Sequence, residues 1–144
     1  METNKQFSFS SVLIVDDSEI DVLVNRRLIE ITRFARNIII THNGEEALQY
    51  LKSECNSAKD APDWIFLDMH LPVLSGYDFI EAFKKLPGYI CIKSKLIILS
   101  VIQNPESLKE ILKYDFVFGQ MDKPLTQKAL LDLAETGKTT SASF

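Results

Sequence analysis

Five short apolar runs divide the chain at roughly even intervals: VLIV at 12–15, NIII at 37–40, WIFL at 64–67, LIIL at 96–99 and FVF at 116–118. They are continuous rather than alternating, and rich in β-branched and aromatic residues. Strands buried on both faces of a parallel sheet read this way. Segments of helical period lie between them. Ile20, Leu23, Leu28 and Ile31 share one face of a helix over about 19–33. Ala47, Leu48, Leu51 and Cys55 mark a second helix, and Phe79, Ile80 and Phe83 a third. Leu108, Ile111 and Leu112 mark a fourth, and Ala129, Leu130, Leu133 and Ala134 a fifth. The alternation predicts an α/β fold, a doubly wound (βα)5 parallel sheet covered by helices on both sides. With right-handed crossovers wound both ways in the order 2-1-3-4-5, strands 1 and 3 are neighbours.

The length of 144 residues suits one domain, expected over 10–136, with a small, polar tail at 137–144. The polar, proline-containing stretch SECNSAKDAPD at 53–63 reads as a loop before the third strand. A net charge of −4 without a basic cluster argues against nonspecific nucleic-acid binding, which neutralises phosphates with many cations. No apolar run reaches the ~18 residues of a membrane helix, and the N-terminal METNKQFSFS lacks a signal-peptide core. Cys55 and Cys91 have neither metal-type spacing nor a disulfide-rich context, so they read as thiols of a reducing, cytoplasmic compartment.

The notable polar residues each follow an apolar run. Asp16 and Asp17 end the first strand, Asp68 the third and Ser100 the fourth, while Lys123 lies shortly after the fifth. Ligands of open α/β sheets bind at the carboxyl ends of strands, where the strand order switches. The expected topology therefore gathers all five residues in one shallow cleft. Three carboxylates brought together repel one another, and a divalent cation relieves this. Mg²⁺, or Mn²⁺ in its place, takes one or two carboxylates, waters and a phosphate oxygen. A phosphoryl group arriving at Asp68 would meet a cation, an ammonium and a hydroxyl, the parts that phosphoryl transfer needs. A carboxylate can itself be the nucleophile, giving an aspartyl phosphate.

The pieces VLIVDDS, THNGEEAL, PDWIFLDMHLPVLSGYDF, LIILS and DKP, in this order and at these spacings, resemble the receiver domain of two-component response regulators. The resemblance is to the single-domain form, like the chemotaxis response regulator, and covers roughly residues 10–136. It implies a flavodoxin-like fold with Asp68 as phospho-acceptor. It implies that Asp16 and Asp17 hold Mg²⁺ together with Asp68 and the backbone carbonyl of His70. Ser100 would contact the phosphoryl group and Lys123 would pair with it, its bond to Pro124 being often cis in relatives. The implied donor is a histidine kinase or a histidine phosphotransfer protein, and small donors such as acetyl phosphate often serve. Slow hydrolysis would reset a signal passed by protein contact or phosphorelay, through a surface built in relatives from the fourth helix, fifth strand and fifth helix. The downstream protein has no signature, and the state expected is monomer or weak dimer.

Two positions depart from the pattern. Relatives usually carry Tyr, Phe or His three residues before the lysine, where this chain has Gln120. Val101 is bulkier than the usual Ala or Gly after the Ser/Thr position, which predicts a longer-lived phosphoryl state. Structural readings stand beside the functional ones. Asp16 and Asp17 can cap a helix, Asp68 can be a turn residue before Pro72, Ser100 can start a loop and Lys123 can be a surface lysine. A phosphorylation-independent receiver-like interaction module is the alternative function, supported mainly by Gln120. A haloacid-dehalogenase-type phosphatase would need a second aspartate two residues beyond the first, an offset that DDS lacks. His70 is expected at the rim, and Trp64 in the core.

Overall fold

The computed structural model describes residues 6–71, 74–99 and 105–136. Its elements run β1 (Phe9–Val15), α1 (Glu19–Thr32), β2 (Ala35–Thr41), α2 (Gly44–Glu54), β3 (Trp64–Leu67), α3 (Gly76–Phe83), α4 (Gly88–Lys93), β4 (Lys95–Leu99), α5 (Pro105–Leu112), β5 (Val117–Met121) and α6 (Gln127–Thr136). The sheet is all parallel in the order β2-β1-β3-β4-β5, the flavodoxin-like arrangement the sequence predicts.

Continuous apolar runs are needed because both faces of the central strands are covered. Leu13, Val15, Ile65, Leu67, Leu96 and Ile98 point into one layer, with Leu51 of α2 and Phe79 and Phe83 of α3. Their strand neighbours Val12, Ile14, Trp64, Phe66, Ile97 and Leu99 point into the other, with Ile29 of α1 and Leu130 and Leu133 of α6. Each such side chain contributes about 1.5–3 kcal/mol relative to leaving it in water. The run at 37–40 departs from full burial. Ile38, Ile39 and Ile40 are half-buried because β2 is the sheet's edge.

The expected face of α1 is corrected. Val22, Asn25 and Ile29 turn inward, whereas Ile20, Leu23 and Ile31 are 75%, 67% and 52% exposed. The helix carries apolar residues on more than one arc, and periodicity does not say which arc the sheet covers. A second correction is α4, a single short turn of helix before β4 that the sequence reading lacks. Contacts to the 55–63 loop hold it there. Lys93 Nζ donates to the carbonyls of Ala58 and Ala61, and Ser94 Oγ donates to that of Pro62. The helix expected after β4 is therefore α5, and the last helix is α6.

Candidate phosphoryl-acceptor site

Parallel pairing sets the site. Val15 of β1 lies opposite Leu67 of β3, so the residues that follow them, Asp16 and Asp68, leave the sheet side by side. The ladder continues one step beyond the strands: the Asp16 amide donates to Thr41 O and the Asp68 amide to Val15 O. Both carboxylates are thereby fixed at the sheet's carboxyl edge. Asp16 is 1% exposed and Asp68 6%, while Asp17 faces solvent. Lys123 reaches the same point from two residues beyond β5, and its bond to Pro124 is cis.

Gly76 lies close against the backbone that leaves β3. The Gly76 amide donates to Met69 O, and a Cβ on Gly76 would sit 2.7 Å from Met69 Cα. Only glycine fits this close backbone approach, which explains the Gly in the LPVLSG segment. The THNGEEAL segment is a helix start: Asn43 Oδ1 accepts from the Glu46 amide, and Glu46 Oε1 accepts from the His42 amide.

The Lys123 ammonium lies 2.9 Å from Asp21 Oδ2, 3.0 Å from Asp16 Oδ2 and 3.2 Å from Asp68 Oδ2. Burial alone would lower its pKa. The Asp21 and Asp16 carboxylates, with the charge of Asp68, outweigh that effect and hold the amine well above its ordinary value. Burial pushes the Asp16 carboxyl upward, against the Ser18 amide and Lys123, which favour the charged form. Asp16 Oδ1 accepts from the Ser18 amide at 2.9 Å. Buried Asp16 Oδ2 accepts no well-aligned hydrogen bond and has the ion-pair contact with Lys123. Asp68 Oδ1 accepts from the His70 amide at 2.9 Å.

An anionic oxygen buried without an aligned donor is suited to a cation. One carboxylate oxygen from each of Asp16, Asp17 and Asp68 lies within 4.8 Å of the others. Adjacent oxygens around Mg²⁺ are roughly 3 Å apart and opposite ones ~4.2 Å, so small inward movements would complete such a set. Oxygen-only donors of this charge are those Mg²⁺ prefers. The residues present fit the ion.

The sequence-predicted residues Asp16, Asp17, Asp68 and Lys123 come together. His70 sits beside them, with its side chain exposed. Ser100 and Val101 lie outside the described residues. Gln120 is half-buried, and its amide donates to Asp122 Oδ1 at 3.4 Å. Trp64 is buried among Phe9, Phe34 and Phe118 at the other end of β3. Sequence reasoning missed Asp21. Its position four residues after Asp17, one helical turn on, was the available signal.

The family model for the response regulator receiver domain matches residues 12–135, and the chain belongs to that family. It is 30% identical over 122 residues to the autoinducer 1 sensor kinase/phosphatase LuxN of Vibrio campbellii and of Vibrio harveyi. That match takes in 83% of this chain but spans only 12% of those relatives' length. A two-component response regulator from Cytophaga hutchinsonii superposes with a TM-score of 0.80 at 27% identity, covering 91% of this chain and 96% of that one. The chemotaxis response regulator CheY4 of Vibrio cholerae shares the fold with a TM-score of 0.66 at 23% identity, covering 88% and 97%.

Proposed function

We propose that this receiver accepts a phosphoryl group on Asp68 from a phosphohistidine of a histidine kinase or histidine phosphotransfer protein. The convergence of Asp16, Asp68 and Lys123 at the carboxyl edge of the sheet carries this reading. An Asp68 carboxylate oxygen forms the new O–P bond as the donor's P–N bond breaks, and the imidazole leaves with the electron pair and takes up a proton. Lys123 meets the growing charge on the transferred oxygens, because its ammonium already lies 3.2 Å from Asp68 Oδ2. Asp16, Asp17 and Asp68, with the His70 carbonyl, would hold Mg²⁺. The ion supplies charge neutralisation at the phosphoryl oxygens.

The α1 face beside the site supports a helical protein donor. Ile20, Val24 and Ile31 form an exposed apolar stripe starting one turn from Asp17, a surface on which an amphipathic helix could lie. We assign this domain the role of a cytoplasmic regulator, a monomer or weak dimer that signals by protein contact or phosphorelay and hydrolyses its phosphoryl group slowly. No described helix is long and apolar enough to cross a membrane. The second reading, a phosphorylation-independent module, draws on Gln120, which stands three residues before the lysine where relatives usually carry Tyr, Phe or His.

Intact mass after incubation with acetyl phosphate and Mg²⁺ separates the two. The acceptor reading expects one added phosphoryl mass, absent without the metal and absent in Asp68→Asn. If no adduct forms and a beryllofluoride titration leaves the amide NMR spectrum unmoved, the passive module replaces it.

A further inference from the structure

Four residues close a circuit around the site. The Ser18 amide donates to Asp16 Oδ1, and the Asp21 amide donates to Ser18 Oγ. Lys123 Nζ donates to Asp21 Oδ2 at 2.9 Å, and its charge pairs with Asp16 Oδ2 at 3.0 Å. The cap that starts α1 therefore also aims Asp21 at the lysine. An ammonium has three N–H donors, and three carboxylates surround this one. Two of them, Asp16 and Asp68, belong to the oxygen cluster that fits a cation, and Asp21 does not. A divalent cation among Asp16, Asp17 and Asp68 would compete for their charge and repel the ammonium, since like charges a few ångströms apart disfavour each other strongly. Asp21 is the one partner of the three that this competition leaves in place. It is also the most exposed of them, with 40% of its side chain accessible, so it can follow the lysine.

We propose that Asp21 is a positioning residue that keeps the Lys123 ammonium over Asp68 once a cation has taken the inner carboxylates. This deepens the phosphoryl-acceptor reading and rests on it. Asp21 touches neither the reacting oxygen nor the phosphoryl group; it acts through Lys123. Without the Asp21 charge, the lysine is driven toward solvent in the metal-loaded state, and an incoming phosphoryl group must draw it back.

The test uses Asp21→Asn, which keeps the side chain's shape and removes its charge, with beryllofluoride plus Mg²⁺ as the phosphoryl probe. Amide NMR gives the affinity and a melting curve checks folding. The expected result is about tenfold weaker beryllofluoride binding, within the coupling range of residues in contact. In a Lys123→Ala background, the same substitution should change binding little, and Asp21→Glu should recover most of the loss. Equal or tighter binding by Asp21→Asn would overturn the inference while leaving the acceptor reading intact, since Asp21 would then be a bystander or a competitor for the lysine. Failure of the unmodified protein to bind beryllofluoride would instead sink the acceptor reading. The ¹⁵N signal of the Lys123 ammonium in Mg²⁺-loaded protein still decides for Asp21 in that case. The proposal requires it to be protected from exchange, and less so in Asp21→Asn; equal protection in both overturns it.

Discussion

Strand β3 is bracketed by two aspartates, Asp63 before Trp64 and Asp68 after Leu67, and they live in opposite circumstances. Asp63 is committed to the fold. One of its oxygens accepts from the amides of Ser10 and Ser11 at 3.0 and 3.2 Å, and the other faces Lys93 at 3.8 Å. It pins β1 to the loop before β3, beside the ring cluster of Phe9, Phe34, Trp64 and Phe118. Asp68 sits in a cluster with Asp16, Asp17, Asp21 and Lys123, a formal charge of −3 for the five side chains. Backbone donors of the neighbouring strand β1 satisfy the first aspartate. The second belongs to a crowd of like charge that a cation or a phosphoryl chemistry would put to use. Residue type and strand are the same, and under the proposed function the surroundings make one structural and the other the phosphoryl acceptor.

The contrast can be broken from either side. The largest effect expected is at Asp68: Asp68→Asn should lose the phosphoryl adduct entirely and unfold no earlier than the parent in a thermal melt. A lower melting temperature would mean that Asp68 is a fold residue like Asp63. Asp63→Ala should do the reverse. It removes the acceptor for two backbone amides, one of them part-buried, and should destabilise by about 2 kcal/mol in a denaturant titration. Its adduct yield under native conditions should match the parent's.

The smallest effect sharpens the comparison through pH. Burial raises the Asp16 carboxyl above its ordinary value. A raised acid binds its proton more tightly in the folded state, so the folded form is penalised above that raised value. The penalty fades as pH falls through it toward the unfolded value. Asp16→Asn should therefore stabilise the metal-free protein at neutral pH, and the gap should close as the pH falls toward the ordinary carboxylate range. A gap that stays constant or widens on acidification would contradict the cause assigned.

Much of this was legible before any coordinates, for physical reasons that can be named. Parallel strands covered on both sides must be apolar at every position, so VLIV, WIFL and LIIL announced themselves. With the strands in the doubly wound order 2-1-3-4-5, Asp16, Asp68 and Lys123 had to converge. The orientation of α1 was not legible, because Ile20, Leu23 and Ile31 repeat with the same period as the buried Val22, Asn25 and Ile29. Short α4 depends on Lys93 and Ser94 reaching carbonyls some thirty residues earlier, which no local pattern reports. Asp21 looked like an ordinary acidic residue in a first helical turn, where the helix dipole favours one. Its bond to Lys123 spans 102 positions of the chain and needs the assembled sheet.

The most direct test of the central claim is chemical mapping of the acceptor. The protein is phosphorylated with acetyl phosphate and Mg²⁺, reduced with borohydride, which converts an acyl phosphate to homoserine, and digested for peptide sequencing by mass spectrometry. The account predicts homoserine at position 68 and an unchanged aspartate at position 63. Homoserine at 16, 17 or 21, or at no position while the adduct is present, would contradict it.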